Sequence, residues 1–575
     1  MKFTVLRAVS YLRSIVLGFA IIVAVAGQAD AAKVLHRGNA SEPYSLDPHR
    51  TTGIWESNII GDMLMGLYTE AADAQPIFGA AESADVSEDG LTWTFKLRKH
   101  TWSDGTPVVA EDFVFAFRRI LDPTTAAQYA NVLYPFKNAQ KVNKGDLPIA
   151  DLGVKAQDAS TLVIELEDPA PYLPQLLSHQ TAVPLPRKLV GRVGNDWTKP
   201  HTMVSNGAYI LSEWRPHDHV KLIKNPKFYD AANVKIDEVY FYPIDDDLAA
   251  LKRYRAGELD VNERWPLTEH KWLKENIPNE ARTSTALNVS YISFNVKRKP
   301  FDDVRVRRAL GMAIDRQAIL NDIFFGAYGE EALTVLPPGT ANVDLSAKVD
   351  WAGKPMDERR AEARRLLAQA GFSAGKPLKF TYNYISTPDN KRAAVAMQAM
   401  WKDIGVEAQL GNTEPKVHYR LLETKSFEAA QDTWLFDYND ARNVLFLWDS
   451  STIELNSSAY KSEAFDGLLK RAAAEKDLSV RGQLLGQATA IVLRDLPAVP
   501  QFFPYHRPLV KSYVLNWINN PRQTNRTRWL DIGNRPGPSA VAAGIDSGAQ
   551  ASEGDFWSWL GSWFSADAWQ KWWNS

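Results

Sequence analysis

Between residues 93 and 120 the spacing of apolar side chains changes from every second position to that of an amphipathic helix. Trp93–Leu97 alternates apolar and polar residues, which is typical of a half-buried strand. Ser103–Pro107 contains the Gly and Pro that favour a turn. Further on, Phe113, Phe117 and Ile120 recur at i, i+4 and i+7. The pattern therefore predicts a strand, a turn and a helix in direct succession.

The same two spacings alternate through the rest of the chain. Leu162–Leu166 and Val239–Tyr242 are predicted strands, rich in β-branched and aromatic residues. Asp303–Phe325, Asp357–Ala370 and Lys391–Ile404 are predicted amphipathic helices. This alternation of strands and helices predicts an α/β fold.

The first 31 residues have the pattern of an export signal. Three basic residues come first: Lys2, Arg7 and Arg13. The apolar run Ile15–Val25 is too short to span a bilayer, and Ala29-Asp30-Ala31 is an A-x-A cleavage site. We therefore expect a signal peptide at 1–31 and a mature chain that begins at Ala32; the alternative is a retained membrane anchor.

Composition narrows the class of protein further. The chain has 575 residues, a formal net charge of −2 and no cysteine, which excludes disulfides, thiolate catalysis and cysteine–metal sites. No long basic stretch is interleaved with aromatic residues, so nucleic-acid binding is not expected. The sequence also lacks the usual short motifs of metalloproteases, serine hydrolases and nucleotide-binding proteins.

Several segments, in order, resemble one family. W-S-D-G-T-P-V-V-A-E-D-F at Trp102–Phe113 is similar to the signature of the peptide/nickel family of extracytoplasmic solute-binding proteins. Ser45–His49, Ser205–Tyr209, Phe301–Arg307 and Phe436–Asn439 follow that family's order. The resemblance covers about residues 33–535. It implies a two-lobed periplasmic binding protein fold with a hinge and one extra inserted domain, three domains in all.

The resemblance also implies domain boundaries. Domain I combines 32–64, 187–288 and 505–537; domain II is the insertion 65–186; domain III is 289–504. The chain crosses between the lobes more than once, and such crossings form a hinge that closes around a ligand. Residues 538–575 follow as a flexible linker and a tail.

Asp437 is the first candidate ligand-binding residue. It follows an apolar predicted strand, where burying a carboxylate without a partner is costly. In the family an aspartate here pairs with the α-ammonium of a bound peptide; the alternative is a turn cap that touches no ligand. Thr433 and Leu435 would present backbone groups to the peptide, and Trp434 would line a side-chain pocket. For Thr433, Leu435 and Trp434, core packing is the alternative.

Two further candidates match family positions outside that segment. Ile54 and Tyr129 would approach the peptide from domains I and II, again with core packing as the alternative. At three positions this chain differs from relatives, which place cations and an aromatic ring near the C-terminus of the peptide. Gln431 replaces an arginine, Asn390 a histidine and Pro415 a tryptophan. A ligand with an unusual or blocked C-terminal half, such as a cell-wall-derived peptide, fits these differences better than an ordinary tri- to pentapeptide does.

The function implied by the resemblance is solute capture for import. The chain would bind oligopeptides or peptide-like solutes in the periplasm and deliver them to the inner-membrane permease of an ABC transporter. We expect a monomer without enzymatic activity, metal or cofactor. A binding protein for a non-peptide solute, such as an oligosaccharide, and a periplasmic hydrolase remain as alternatives.

Other polar and aromatic clusters have weaker interpretations. His217-Asp218-His219 is a candidate metal pair, with a solvated loop as the alternative, and Asp245–Asp247 is either a hard-cation site or a turn before a helix. Phe556–Ser575 contains six tryptophans. Because tryptophan favours membrane and protein interfaces, this tail is expected to contact the membrane surface or the permease; self-docking or no role are the alternatives.

Overall fold

The computed structural model describes residues 32–453 and 455–535. The predicted signal peptide and the tryptophan-rich tail lie outside the described residues. Within the described part, no helix is long and apolar enough to cross a membrane.

Twenty strands form the sheets of the described chain. In chain order they are β1 Val34–Gly38, β2 Tyr68–Glu70, β3 Pro76–Phe78, β4 Ala81–Val86, β5 Thr92–Leu97, β6 Val154–Asp158, β7 Thr161–Glu165, β8 Tyr209–Arg215, β9 His219–Lys224, β10 Glu238–Tyr242, β11 Val261–Asn262, β12 Asn288–Phe294, β13 Gly329–Glu331, β14 Leu378–Ile385, β15 Val406–Thr413, β16 Ala429–Leu435, β17 Ala498–Pro504, β18 Leu509–Val510, β19 Val514–Leu515 and β20 Asp531–Ile532.

Helices separate many of these strands, as the alternating pattern predicts. In the described part the α-helices are Ile54–Met63, Ala110–Leu121, Ala139–Asn143, Leu173–Leu176, Arg187–Val193, Asp247–Arg255, His270–Asn276, Val304–Ala313, Arg316–Ala318, Met356–Gln369, Pro388–Asp403, Pro415–Glu423, Arg442–Leu445, Glu463–Ala474 and Leu478–Asp495.

Two six-stranded mixed sheets define two lobes. The first lobe contains the sheet β18-β11-β1-β10-β9-β8 and a four-stranded antiparallel sheet, β4-β5-β7-β6. The second lobe contains the sheet β13-β17-β12-β16-β14-β15. One large hydrophobic cluster covers both sheets of the first lobe, and a second, around the sheet of the second lobe, also includes Leu509 of β18. The fold is therefore α/β and two-lobed, while the three-domain boundaries stay a prediction.

The strand, turn and helix predicted between residues 93 and 120 are confirmed. The turn closes because Gly105 takes a positive φ of 95° and Thr106 N–H donates to Asp104 Oδ1 at 2.8 Å. The helix Ala110–Leu121 begins where Asp112 Oδ2 accepts from Val109 N–H at 3.1 Å. Its apolar face packs into the core of the first lobe.

The prediction of a single helix over Asp303–Phe325 is wrong, because the helix that begins at Val304 ends at Ala313. Ile314 adopts an extended conformation, and Asp315 then starts a new short turn by accepting from Ala318 N–H at 3.0 Å. Two buried arginines satisfy carbonyls at the break. Arg316 donates to the Ile314 carbonyl at 3.3 Å, and Arg359 donates to it at 2.6 Å. The apolar spacing continues across the break, so it conceals the interruption.

Candidate ligand-binding cleft

β16 has one edge that is only partly paired. On one side it pairs antiparallel with β12 along its whole length. On the other side β14 pairs with it only at Ala429 and Ala430, and among the described residues no strand pairs with 432–435 there. Such an edge presents unpaired backbone groups, to which an extended peptide can add as a further strand.

Asp437 lies two residues beyond the end of β16. Its backbone N–H donates to Asn443 Oδ1 at 2.9 Å, and Asn443 Nδ2 lies 3.5 Å from Asp437 Oδ2. Asn443 Oδ1 also accepts from Trp434 Nε1 at 3.1 Å. The side chain of Asp437 is 12% exposed. Asn443 thus holds the predicted anchor and the predicted pocket tryptophan in one arrangement.

A buried ion pair fixes the loop that carries Asp437. Arg481 donates to both carboxylate oxygens of Asp440, at 2.7 and 2.9 Å, and both side chains are almost completely buried. Asp440 Oδ1 also accepts from the backbone N–H of Arg442 at 2.9 Å. Because a bidentate pair sets direction as well as distance, the loop is ordered independently of any ligand.

The first lobe contributes His179 and Tyr129 to the surroundings of Asp437. His179 Nε2 lies 3.7 Å from Asp437 Oδ1, beyond hydrogen-bond distance. Thr181 N–H donates to His179 Nδ1 at 3.4 Å, and the Thr181 hydroxyl lies 2.9 Å from the same nitrogen. Tyr129 stacks on His179 with ring centroids 5.7 Å apart. Two predicted site residues, Asp437 and Tyr129, therefore lie beside the same histidine.

The charge of Asp437 is poorly compensated. Burial raises its pKa to about 6, against the opposing effects of Arg522 and of the hydrogen bond from Asn443. Burial, together with Arg522 and Arg526, lowers the pKa of His179 to about 3. His179 is consequently neutral near pH 7, and no lysine or arginine of the described chain lies within 4.0 Å of the Asp437 carboxylate. The geometry suits an incoming ammonium group.

The other predicted site residues have different surroundings. Thr433 N–H donates to Asp432 Oδ1 at 2.8 Å, and Leu435 ends β16 opposite Asn288 of β12. Trp434 packs edge-to-face on Phe446, with centroids 5.5 Å apart. Ile54 is the first residue of the helix Ile54–Met63; it is partly exposed and lies outside the two large hydrophobic clusters of the described residues.

The two lobes touch beside Asp437. Tyr172 stacks on Tyr438 with centroids 4.8 Å apart and an interplanar angle of 9°. Asn439 N–H donates to Gln175 Oε1 at 2.6 Å. Because Tyr172 and Gln175 belong to the first lobe and Tyr438 and Asn439 to the second, these contacts join the lobes directly across the cleft.

Gln431 and Asn390, which stand where relatives have a cationic residue, line one cavity without charged side chains. Gln431 Nε2 donates to Asn390 Oδ1 at 3.0 Å, and both amides also bond the backbone of Ile385. Tyr328 and Tyr382 line the same cavity. Asn390 lies inside the helix Pro388–Asp403, not before it as predicted.

Pro415 occupies the first turn of the helix Pro415–Glu423, where its missing N–H costs nothing.

The candidate metal clusters have other partners. His219 lies 3.4 Å from Glu213 and 3.2 Å from Asp218, and His217 sits in the hairpin with a φ of 63°. Asp246 caps the helix Asp247–Arg255 by accepting from Ala249 N–H at 2.6 Å, which is the predicted turn before a helix. Within residues 32–453 and 455–535, no group of three or more potential ligands is placed to hold a metal ion.

His179, Asn443 and Arg522 were missed by the sequence reasoning. Asn443 hydrogen-bonds to Asp437, His179 lies beside it, and Arg522 acts on it from beyond 4.0 Å; none of the three belongs to a periodic or motif pattern. Asn443 is closest in sequence, six residues from Asp437, and its only signal was an amide side chain near a candidate anchor.

Comparison with known proteins places this architecture in a defined class. The family model of the bacterial extracellular solute-binding proteins, family 5, matches residues 75–456. The periplasmic oligopeptide-binding protein OppA of Escherichia coli K12 is 36% identical over 507 residues, which cover 87% of this chain and 92% of the relative. The chain belongs to the family 5 solute-binding proteins.

Solved structures of relatives agree in fold. Haemophilus influenzae OppA in complex with RPPGFSPFR matches with a TM-score of 0.81 and 32% identity, covering 88% of this chain and all of that one. The murein tripeptide binding protein MppA of Escherichia coli gives a TM-score of 0.82, with 32% identity and coverage of 88% and 99%. The unliganded open form of MppA gives only 0.70, with 32% identity and coverage of 87% and 98%. The lobes described here are thus arranged less like the open form, in agreement with their contacts beside Asp437.

Proposed function

We propose that this protein is the periplasmic binding component of an ABC importer, which captures peptides or peptide-like solutes between its lobes and delivers them to an inner-membrane permease. One observation carries the proposal. Asp437 is a desolvated carboxylate without a lysine or arginine within 4.0 Å among the described residues, and it stands at the end of an unpaired strand edge. A free α-ammonium followed by an extended backbone satisfies both features.

The two features together set the direction of the ligand. Asp437 follows the carboxyl end of β16, so a peptide with its ammonium there extends back along the edge toward Gln431. It therefore runs antiparallel to β16. Main-chain hydrogen bonds along that edge do not depend on side chains, which allows affinity to coexist with tolerance of many peptide sequences.

The relatives support a peptide ligand and a periplasmic location. One relative is described as a periplasmic oligopeptide-binding protein and another as a periplasmic murein peptide-binding protein. The neutral pair of Gln431 and Asn390 where the peptide's C-terminal half would lie favours a ligand whose carboxyl end is blocked or branched, as in cell-wall-derived peptides.

Two measurements test the proposal. Protein purified from the periplasm is denatured, and released small molecules are identified by mass spectrometry; peptides with a free amino terminus are expected. Calorimetry with mixed di- to pentapeptides and with cell-wall peptide digests then measures affinity directly. Recovery of an oligosaccharide, with no binding of any peptide, would overturn the proposal.

The same samples distinguish binding from catalysis. Because we propose capture and delivery without chemistry, peptides incubated with the protein and then released should keep their mass. Cleaved products that appear with the native protein but not with heat-denatured protein would favour a hydrolase instead.

A further inference from the structure

A second acidic side chain lies on β16. Asp432 is five residues before Asp437 and alternates with Gln431 and Thr433 on the strand, so its side chain lies on the other face of the sheet. Its Oδ1 accepts from Thr433 N–H at 2.8 Å. The residue is partly buried. Among the described residues, no cationic group lies within 4.0 Å of it.

Tyrosines surround this carboxylate. Tyr291 is directly opposite Asp432 in the β12–β16 register, and its hydroxyl hydrogen-bonds to Asp432. Tyr291 is buried, and Trp448 packs edge-on against it with centroids 5.8 Å apart. Tyr419 projects from the helix Pro415–Glu423, and about half of it is exposed. Burial and then the Asp432 charge raise the pKa of Tyr419.

A series of side chains connects this group with the Asp437 site. Burial raises the pKa of Tyr129, and the charges of Asp437 and Tyr419 add to the effect in that order. The charge of Asp432 in turn acts on Tyr419. Asp432 and Asp437 are five residues apart, on β16 and just beyond its end.

Asp432 has hydrogen bonds from Thr433 N–H and Tyr291, but no charged partner among the described residues that would offset the cost of its burial. It caps no helix, and no described arginine or lysine pairs with it. Burial raises its pKa to about 7, with hydrogen bonds from Thr433 N–H and Tyr291 opposing that effect. The other titratable groups nearby are Tyr419 and His418, and His418 Nε2 is turned to the Gln431 carbonyl at 2.7 Å. A half-buried acid at a ligand-accepting edge is best satisfied by a cation from the ligand.

We infer that Asp432, Tyr291 and Tyr419 form a subsite for a cationic side chain of the bound peptide, an ammonium or a guanidinium. The inference rests on the proposed function and adds a side-chain preference to it. With the first peptide residue opposite Leu435, where β16 ends, and a rise of about 3.3 Å per residue, Asp432 lies about 10 Å further along the edge, opposite roughly the third or fourth peptide residue. The carboxylate supplies a charge-assisted hydrogen bond, and the tyrosine faces add cation–π attraction.

Calorimetry with matched tetrapeptides tests the subsite. The peptides contain alanine at every position except the third or the fourth, which is lysine in one set and norleucine in the other. The wild-type protein should prefer lysine over norleucine at one of these positions by about tenfold to a hundredfold, the range for a hydrogen bond to a charged group. In Asp432→Asn that preference should vanish while the affinity for the norleucine peptide stays within about twofold.

A second readout separates a direct role from a structural one. Because an ammonium binds the ionised carboxylate, the lysine peptide should displace a proton near pH 7, and the heat of binding should then vary with the ionisation enthalpy of the buffer. The norleucine peptide and Asp432→Asn should both show less proton release. An unchanged lysine preference in a folded Asp432→Asn protein would overturn the subsite.

The failure of the subsite and that of the proposed function give different results. Asp437→Asn should weaken the lysine and norleucine peptides alike. If it does so while Asp432→Asn alters neither peptide, peptide binding stands and the acidic subsite is wrong. If no peptide binds the wild-type protein, both are wrong.

Discussion

Asp437 is expected to be the most sensitive single residue for ligand affinity. Replacing it with alanine should weaken peptide binding by roughly 3–5 kcal/mol, since the α-ammonium would then be buried without its partner. Acetylating the peptide amino terminus should cost a similar amount. Folding should change little, because the partner of Asp437 is the ligand, while Arg481 and Asp440 hold the loop. Calorimetry and a thermal melt measure both effects.

Asp245→Asn is a matched control, because it removes one exposed carboxylate far along the sequence from the loop. Equal affinity for free and acetylated peptides, in both the wild type and Asp437→Ala, would show that Asp437 is only a turn residue.

Peptide affinity should depend on pH through the same carboxylate. The pKa of Asp437 is about 6 in the unliganded protein, and only the ionised form pairs with an ammonium. Affinity should therefore be nearly constant above about pH 7 and fall by up to about tenfold per pH unit below about pH 5. The peptide used should have no cationic side chain, so that its affinity does not depend on the charge of Asp432. In Asp437→Asn the profile should be flat between pH 5 and 7.5; an equally steep fall there would assign the titration to another group.

The carboxylate at 437 was predictable, while its neighbours were not. A charged residue at the end of a predicted strand is visible in the sequence, and the family resemblance gave it a role. His179 is hundreds of residues away in the chain and reaches Asp437 only because the lobes meet. A neutral imidazole in this position depends on burial and on Arg522 and Arg526, which no local pattern encodes.

Strands and helices with one clear period were predicted well, and interrupted ones were not. Met356–Gln369 differs from its predicted bounds by one residue at each end. The helix predicted at Lys391 begins instead at Pro388, because Thr387 caps it by accepting from Asn390 N–H at 3.2 Å. The break after Ala313 depends on Arg359, which is distant in sequence, so periodicity could not reveal it.

The neutral cavity between β16 and the helix Pro388–Asp403 predicts indifference to the charge of the peptide C-terminus. Gln431 and Asn390 are hydrogen-bonded to each other and carry no charge. Amidating the C-terminus of a bound peptide should therefore cost less than about 1 kcal/mol. Paired calorimetric titrations of acid and amide forms measure this difference.

A large loss on amidation would show that another cation receives the carboxylate. Arg507 is the first to examine, because it packs over Tyr328, a residue of the cavity wall, with 5.8 Å between the guanidinium carbon and the ring centroid. Arg507→Gln should then abolish the difference between acid and amide peptides.

The tryptophan-rich tail is expected to act separately from ligand capture. Removing residues 540–575 should leave peptide affinity unchanged, since the site lies between the two lobes. What should change is association with membranes or with the permease, because a tryptophan-rich segment favours such interfaces. Liposome co-sedimentation and transport assays compare the truncated and full-length proteins. Loss of ligand or of folding on truncation would place the tail in the core instead.

The hydrogen bond between Asn439 and Gln175 allows opening of the lobes to be measured by hydrogen exchange. The donor is a backbone amide of one lobe and the acceptor a side chain of the other, so separation of the lobes exposes that amide to solvent. Deuterium uptake at Asn439 should then report how often the cleft opens, with no label attached and no ligand present. A saturating peptide should slow that uptake by the factor with which it favours closure, and Gln175→Ala should remove the protection without touching Asp437.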